Sequence, residues 1–393
     1  MNISILGGNV KRALKGEYVG GAEKQAALIS RGLADLGHNV FVLESSSGPL
    51  AKECIGGIEI VQSWCTSKGI PGVRSLTYRL PILYKRLLQT NPKIVYSRGV
   101  GIYSAMIAWL LHKSEIKFVW GIAHDQDLNP TIRQVNKASF YTTISNHLMF
   151  KLASYLLLKY SNDIICQTKE QIVYLERKSL QNKCHNISNI SEIPIRKKSF
   201  FNQNKNTCLW VGKFSGTKGE VELLCLAKKM PHINFIAVGH VTQDFEQTSI
   251  YKSISCQPNI KRTGRLNYNT LLDLYAETEL LVHTAPTEGF SNTFLEGWSF
   301  GVPVVSLHVD PNGLLSSERF GTCAEGDIDL MKTQIDRLLN DTFLRSSMGQ
   351  AAQEYIDSNH SFSTVINQLN YLFENGNSHQ LTQAPILLDN QQP

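Results

Sequence analysis

Short apolar runs bounded by turn residues alternate with helical stretches along most of this chain, and that alternation restricts the fold more than any other feature. Near-continuous apolar runs are what a strand shows when both faces of its sheet are covered. In the first half they occupy residues 2–6, 39–43, 58–61, 93–96, 117–120 and 163–166. Helical periodicity is clearest over 23–36, closed by Gly37. The stretch IRKKSFFNQNKN after Pro194 is polar and basic like a linker, and the pattern restarts at Thr207, with strands near 235–238, 280–282 and 302–307. Strand–helix alternation predicts an α/β protein with parallel sheets covered on both faces. At 393 residues the chain exceeds one ordinary domain, and two Rossmann-like domains of about 180 residues suit the usual size range. The expected division is 1–195 and 196–354, followed by helix over 355–376 and a frayed tail at 377–393.

The densest chemistry lies at 287–306, TEGFSNTFLEGWSFGVPVVS. The apolar run that closes at Val282 is broken by Pro286, and Gly289 permits a sharp turn or close approach to a ligand. Ser291, Asn292 and Thr293 are all good N-caps, so a helix starts near them and runs to about Phe300. Gly301 ends it ahead of the strand VPVVSL. Free N–H groups at such a helix start suit an anion, most naturally a phosphate. Seven residues separate Glu288 from Glu296. At roughly 100° per residue they share no face even of one continuous helix. Glu288 is expected on the loop facing the cleft and Glu296 in the first turns of the helix. That placement argues against a paired-carboxylate hydrolase and for two separate contacts along one extended ligand. A purely structural alternative makes Thr293-x-x-Glu296 a capping box and Glu288 a complement to the helix dipole.

Upstream, TCLWVGKFSGTKGEVELLCLAKKM at 207–230 reads as a strand, a loop with Gly212, Gly216 and Gly219, and an amphipathic helix. Lys213 and Lys218 bracket the loop, so two ammonium groups converge where the strand ends, the place where open α/β sheets bind ligands. Two lysines, a helix N-terminus and two glutamates suit a nucleotide diphosphate carrying a sugar: cations for the pyrophosphate, carboxylates for hydroxyls.

With these residues in view the chain resembles the glycosyltransferase family 4 (group 1) enzymes of GT-B fold. The likeness runs through GGAEKQAALISRGLADLGHNVFVL at 20–43, DIICQT at 163–168, VGKFSGTKG at 211–219, the E-x7-E segment and GVPVV at 301–305. It implies two Rossmann-like domains facing across a cleft, with the terminal helix crossing back to the first. It implies that Lys213 and Lys218 hold the donor diphosphate and that Glu288 contacts the donor sugar. The amides of Gly289, Phe290, Ser291, Asn292 and Thr293 would cradle sugar and phosphate, and Glu296 would bind the ribose hydroxyls. His124 matches a histidine that faces the reacting sugar, and Gly20 and Gly21 bring the first helix N-terminus to the cleft. The implied reaction is transfer from a nucleotide sugar to a hydroxyl on a glycan or lipid-linked acceptor, with retention and without a metal or other cofactor. Three places depart from the family's pattern: Lys213 stands where many members have arginine and makes no bidentate fork, Gly239-His240 replaces Gly-x-Gly, and NISNISEIP precedes the second domain. A nucleotide-sugar epimerase and a non-catalytic nucleotide-sugar-binding subunit are the competing readings.

Composition narrows the rest. Hydrophobic residues at 42% and charged residues at 18% describe a globular protein, and no stretch reaches the ~20 apolar residues of a membrane span. The start, MNISILGG, reads as a core strand and not a signal peptide, which predicts a cytoplasmic protein. Eight cysteines without a C-x-x-C pair, among them Cys166, Cys208 and Cys225 in apolar runs, read as free thiols. A net charge of +6 invites peripheral contact with an anionic membrane. Arg79, Tyr84, Lys85, Arg86 and Leu87, and the apolar helix at 148–160 with Lys151 and Lys159, are the candidates. Ordinary helices with one core face are the alternative. The basic residues are too dispersed for nucleic acid. Asp125-Gln126-Asp127 has the form of a metal–nucleotide motif but the wrong strand context, and the early glycines lack the dinucleotide fingerprint. His38 and His283 are expected to be structural.

Overall fold

The computed structural model describes residues 1–17, 20–46, 52–70, 74–129, 140–193 and 206–376. Eight strands form the first sheet: β1 (Asn2–Leu6), β2 (Asn39–Ser46), β3 (Lys52–Ile55), β4 (Ile58–Cys65), β5 (Ile94–Arg98), β6 (Lys117–Gly121), β7 (Asp163–Cys166) and β8 (Cys184–Asn186). Their order is β3-β4-β2-β1-β5-β6-β7-β8. Six more form the second: β9 (Thr207–Val211), β10 (Asn234–Val238), β11 (Ile260–Gly264), β12 (Leu280–His283), β13 (Val304–Ser306) and β14 (Gly321–Cys323), in the order β11-β10-β9-β12-β13-β14. Pairing is parallel throughout except between β3 and β4, an antiparallel hairpin whose turn, Gly56-Gly57, has positive φ at both residues.

Ten strands lie where apolar runs predict them. The four that do not, β3, β8, β11 and β14, are the edge strands of the two sheets. An edge strand buries less side chain and carries more polar residues, so its apolar signal fades; β11, IKRTG, is largely exposed.

Successive residues point to opposite faces of each sheet, and both faces are covered. Ile3, Ile5, Val40, Val42 and Tyr96 pack under the helix Gly21–Asp35, whereas Val95, Phe118, Trp120 and Ile164 pack under helices on the other face. The second sheet repeats this, with Cys208, Trp210, Phe235 and Val282 on one side and Leu209, Leu281 and Val304 on the other.

The helix expected over 355–376 is two helices, Thr342–His360 and Phe362–Asn375, broken at Ser361. Ser361 is extended and its Oγ caps the second helix by accepting from Thr364 N. The break redirects the chain: Ala352 and Ile356 belong to the second domain's core, while Val365, Ile366, Leu369 and Phe373 belong to the first domain's. The expected boundary at 195/196 and the tail 377–393 lie outside the described residues.

Candidate active site in the interdomain cleft

A cleft of about 400 Å³ lies between the domains, lined from the second by Gly212, Lys213, Lys218, Glu288, Ser291 and Glu296, and from the first by Gly20, Gly21 and Lys24. The second domain's contribution sits beyond the C-terminal ends of β9 and β12, where the parallel sheet leaves room between strand and helix.

The loop after β9 is shaped from beneath by Glu220. This buried carboxylate accepts from Ser215 N at 2.7 Å, Gly216 N at 2.8 Å and Lys218 N at 2.9 Å. Thr284 Oγ1 accepts from Trp210 Nε1 and donates to the Lys218 carbonyl, both at 2.9 Å. Gly219, at φ 74°, sits so tightly that a Cβ there would lie 2.0 Å from the Thr284 carbonyl oxygen. Sequence reading missed Glu220 and Thr284; an acid opening a helix directly after a glycine loop is the available signal for the first.

Lys218 Nζ is hydrogen-bonded to Glu288 Oε1. His283 Nε2 stands 4.0 Å from the same oxygen, and His124 Nε2 is 3.9 Å from Oε2. Burial alone pushes the Glu288 pKa up, but the charge of Lys218, with His283, outweighs it and holds the carboxyl below its ordinary value. His283 is the converse: burial, with Lys218 and His308 adding to it, takes its pKa down to about 4, against the pull of Glu288. His283, expected to be structural, is buried against Phe294 and also borders the cleft, and its buried Nδ1 has no partner among the described residues.

His124 follows β6 and caps the turn Asp125–Asp127. Its Nδ1 accepts from Gln126 N at 3.1 Å, which assigns the ring proton to Nε2, 3.1 Å from the Thr287 carbonyl oxygen that accepts it. The Asp-x-Asp pair is occupied structurally: Asp127 Oδ2 accepts from Ala123 N and His124 N, and Asp125 Oδ1 from Gln171 Nε2. Burial raises the Asp125 pKa. Gly289 packs on this loop, with Ala123 O 3.0 Å from where its Cβ would be.

The helix Asn292–Ser299 starts at Ser291, but Ser291 makes no side-chain cap; its Oγ lies 2.9 Å from Thr293 Oγ1. Glu296 does not turn back onto a backbone amide, so the capping-box alternative fails. Its Oε1 accepts from Lys24 Nζ at 2.9 Å and its Oε2 from Tyr275 Oη at 3.0 Å. The expectation for Phe290 concerns its backbone amide and not its ring. Its side chain is buried in the second domain's core against Trp298 and His360. Its carbonyl accepts from Asn189 Nδ2 of the first domain at 3.0 Å.

From the other side, the helix Gly21–Asp35 points its N-terminus at that of Asn292–Ser299, and a Cβ at Gly21 would lie 2.3 Å from Asn292 Nδ2. Gln25, fully buried, donates to Asn292 Oδ1 at 2.9 Å and exchanges two hydrogen bonds with the Ile190 backbone. Two positive helix ends therefore meet over the cleft.

Residues proposed from sequence for the membrane divide. Leu87 is buried and Tyr84 packs on the core, which removes them as a lipid-facing pair. On the helix Phe140–Tyr160, however, Leu148, Met149, Leu152 and Tyr155 are exposed beside Lys151 and Lys159. Among the described residues no helix is long and apolar enough to cross a membrane.

Residues 191–355 match the model for glycosyl transferases group 1, and residues 19–189 match that for glycosyltransferase family 4. The capsular polysaccharide biosynthesis glycosyltransferase CapM of Staphylococcus aureus is 21% identical over 171 residues, 42% of this chain and 44% of that protein. The chain thus spans under half the length of this curated relative. Sucrose-phosphate synthase from Thermosynechococcus elongatus superposes with a TM-score of 0.73 at 15% identity, covering 95% of this chain and 98% of that one. Anabaena Alr3699/HepE, solved with UDP and glucose, gives 0.71 at 17% identity, covering 95% and 99%. These likenesses show the fold to be GT-B. With each half matched by its own model, the chain belongs to the family 4, or group 1, glycosyltransferases.

Proposed function

We propose that the protein transfers a sugar from a nucleotide-diphosphate donor to an acceptor hydroxyl, with retention at the anomeric carbon and without a metal. The observation that carries this reading is the Lys218–Glu288 pair beside the N-terminus of Asn292–Ser299, facing the Gly20–Gly21 helix start across the cleft. In the reaction the bond from the anomeric carbon to the diphosphate oxygen breaks, the acceptor oxygen bonds to that carbon, and the acceptor's proton passes to the departing diphosphate oxygen. Positive charge develops on the sugar and negative charge on the leaving diphosphate. Lys213, Lys218 and the amides of Gly289 to Thr293 stabilise the leaving group as fixed electrostatics, without reorganisation during the step. Glu288 orients the sugar hydroxyls. Its ion pair with Lys218 suits positioning better than nucleophilic attack. His124 completes the sugar end, and Glu296 takes the ribose. Closure of the two domains over the donor would exclude water and so suppress its hydrolysis.

The acceptor in this reading is a glycan or a lipid-linked glycan. The exposed apolar residues Leu148, Met149, Leu152 and Tyr155 with their lysines support peripheral contact with an anionic bilayer; sedimentation with anionic and neutral vesicles tests it.

A thermal-shift screen against UDP, GDP and ADP sugars tests the donor class. One base is expected to stabilise the protein, and its labelled sugar to move to an acceptor, with Glu288→Ala abolishing transfer. No binding by any of the three donors would sink the reading. Conversion of the sugar with no acceptor present would point to an epimerase instead.

A further inference from the structure

Lys24 joins the two domains at a carboxylate. It projects from the helix Gly21–Asp35 of the first domain, and its Nζ donates to Glu296 Oε1 at 2.9 Å and to Tyr268 Oη at 2.7 Å, lying 4.3 Å from the centre of the Tyr268 ring. Burial pushes the Lys24 pKa down, but Glu296 and Tyr268 outweigh it and hold the ammonium above its ordinary value. Burial and the neighbouring Glu296 take Tyr268 up to about 12. Tyr275 supplies the donor to the other carboxylate oxygen at 3.0 Å. A carboxylate has about four acceptor positions, so Lys24 and Tyr275 fix its plane and still leave each oxygen room for one more donor. Two vicinal hydroxyls match that arrangement. Gln25, one residue along, locks the same helix turn to Asn292.

We infer that Lys24 is a positioning residue for nucleotide recognition: from the opposite domain it holds Glu296 in the orientation that receives the donor's ribose hydroxyls. The inference rests on the reading of Glu296 as the ribose contact. The nucleotide site is then complete only when the first domain is docked, and ribose binding favours the docked arrangement. Removing Lys24 leaves a buried carboxylate without its cation and free to turn. The loss falls on hydroxyl recognition, which is directional, and spares the diphosphate, held at the other end by Lys213 and Lys218.

Isothermal titration of the full chain with UDP, GDP and ADP and their 2′-deoxy counterparts separates the possibilities. The wild type is expected to bind its preferred ribonucleotide about tenfold or more tighter than the 2′-deoxy form, as for a hydroxyl bonded to a charged group. In Lys24→Met that ratio should fall to about twofold, with the 2′-deoxy affinity nearly unchanged. Circular dichroism and melting check folding, and Lys24→Gln carries the test if Lys24→Met does not fold. Equal losses for both nucleotides, or an undiminished ratio, overturn the inference while leaving the functional reading intact. A wild type blind to the 2′-hydroxyl overturns it too, and one that binds none of the three ribonucleotides removes the functional reading itself.

Discussion

Glu288 and Glu296 stand on one short segment, yet they are held in different ways. Glu288 is gripped from within its own domain, by Lys218 and His283, with His124 of the first domain 3.9 Å away. Glu296 has Tyr275 from its own domain, but its cation comes from the first, as Lys24. The first centre is therefore built by one domain's strand ends, and the second by the docking of two. A ligand spanning both would meet a preformed charged end and an end whose geometry depends on the interdomain contact.

The comparison can be broken most forcefully at the charged end. Lys218→Ala should lower turnover by about 10²–10³-fold, as removal of one preorganised donor to a developing anion does, and should lower the melting temperature too, because Glu288 loses the cation that offsets its burial. Release of nucleoside diphosphate measures it, and unaltered turnover refutes the site assignment. Next is the frame under that end. Gly219→Ala sets a Cβ against the Thr284 carbonyl at positive φ and should destabilise by about 3 kcal/mol or more. Glu220→Ala leaves three amides without their acceptor and should cost about 1–3 kcal/mol. Denaturant titration measures both; Glu220→Ala should also weaken nucleotide binding, since the Lys218 loop loses its support.

Protonation sharpens the contrast. His283 has a folded pKa of about 4, below the ordinary histidine value of 6.5. Between those pH values the unfolded chain binds a proton that the folded one does not, so stability is lost as pH falls from 6.5 towards 4. His283→Asn should reduce that slope by up to about 1.4 kcal/mol per pH unit, read from denaturation at several pH values. An unchanged slope would mean that His283 is not buried neutral. His360, also taken down to about 4 by burial, keeps a slope of its own in that variant. The smallest effect belongs to Ser291→Ala: a serine at N-cap without a capping bond should cost a few tenths of a kcal/mol, where a working cap is worth about 1.

Legibility followed burial and sequence distance. Central strands were readable because both faces are buried, and the four edge strands were not. The Lys218 loop and the Glu288 loop were readable because strand, glycine and cap residues follow one another locally. For Phe290 the local pattern carried the backbone expectation alone; that its ring turns inward onto Trp298 and His360 depends on packing with residues distant in the chain. His283 read as structural and is buried against Phe294; its approach to Glu288 at 4.0 Å carries no local sign at a strand end.

The sequence by itself determined the two α/β domains, the strand ends at which a cleft must open, and the lysines and glutamates that border it. These depend on periodicity and turn chemistry, which act between near neighbours. Only the tertiary structure decided that Lys24 meets Glu296, 272 residues away, and that the crossing back to the first domain, which the resemblance implied, is made through a break at Ser361. Such contacts are set by how two separately packed cores dock, a property of surfaces brought together and not of any stretch of chain.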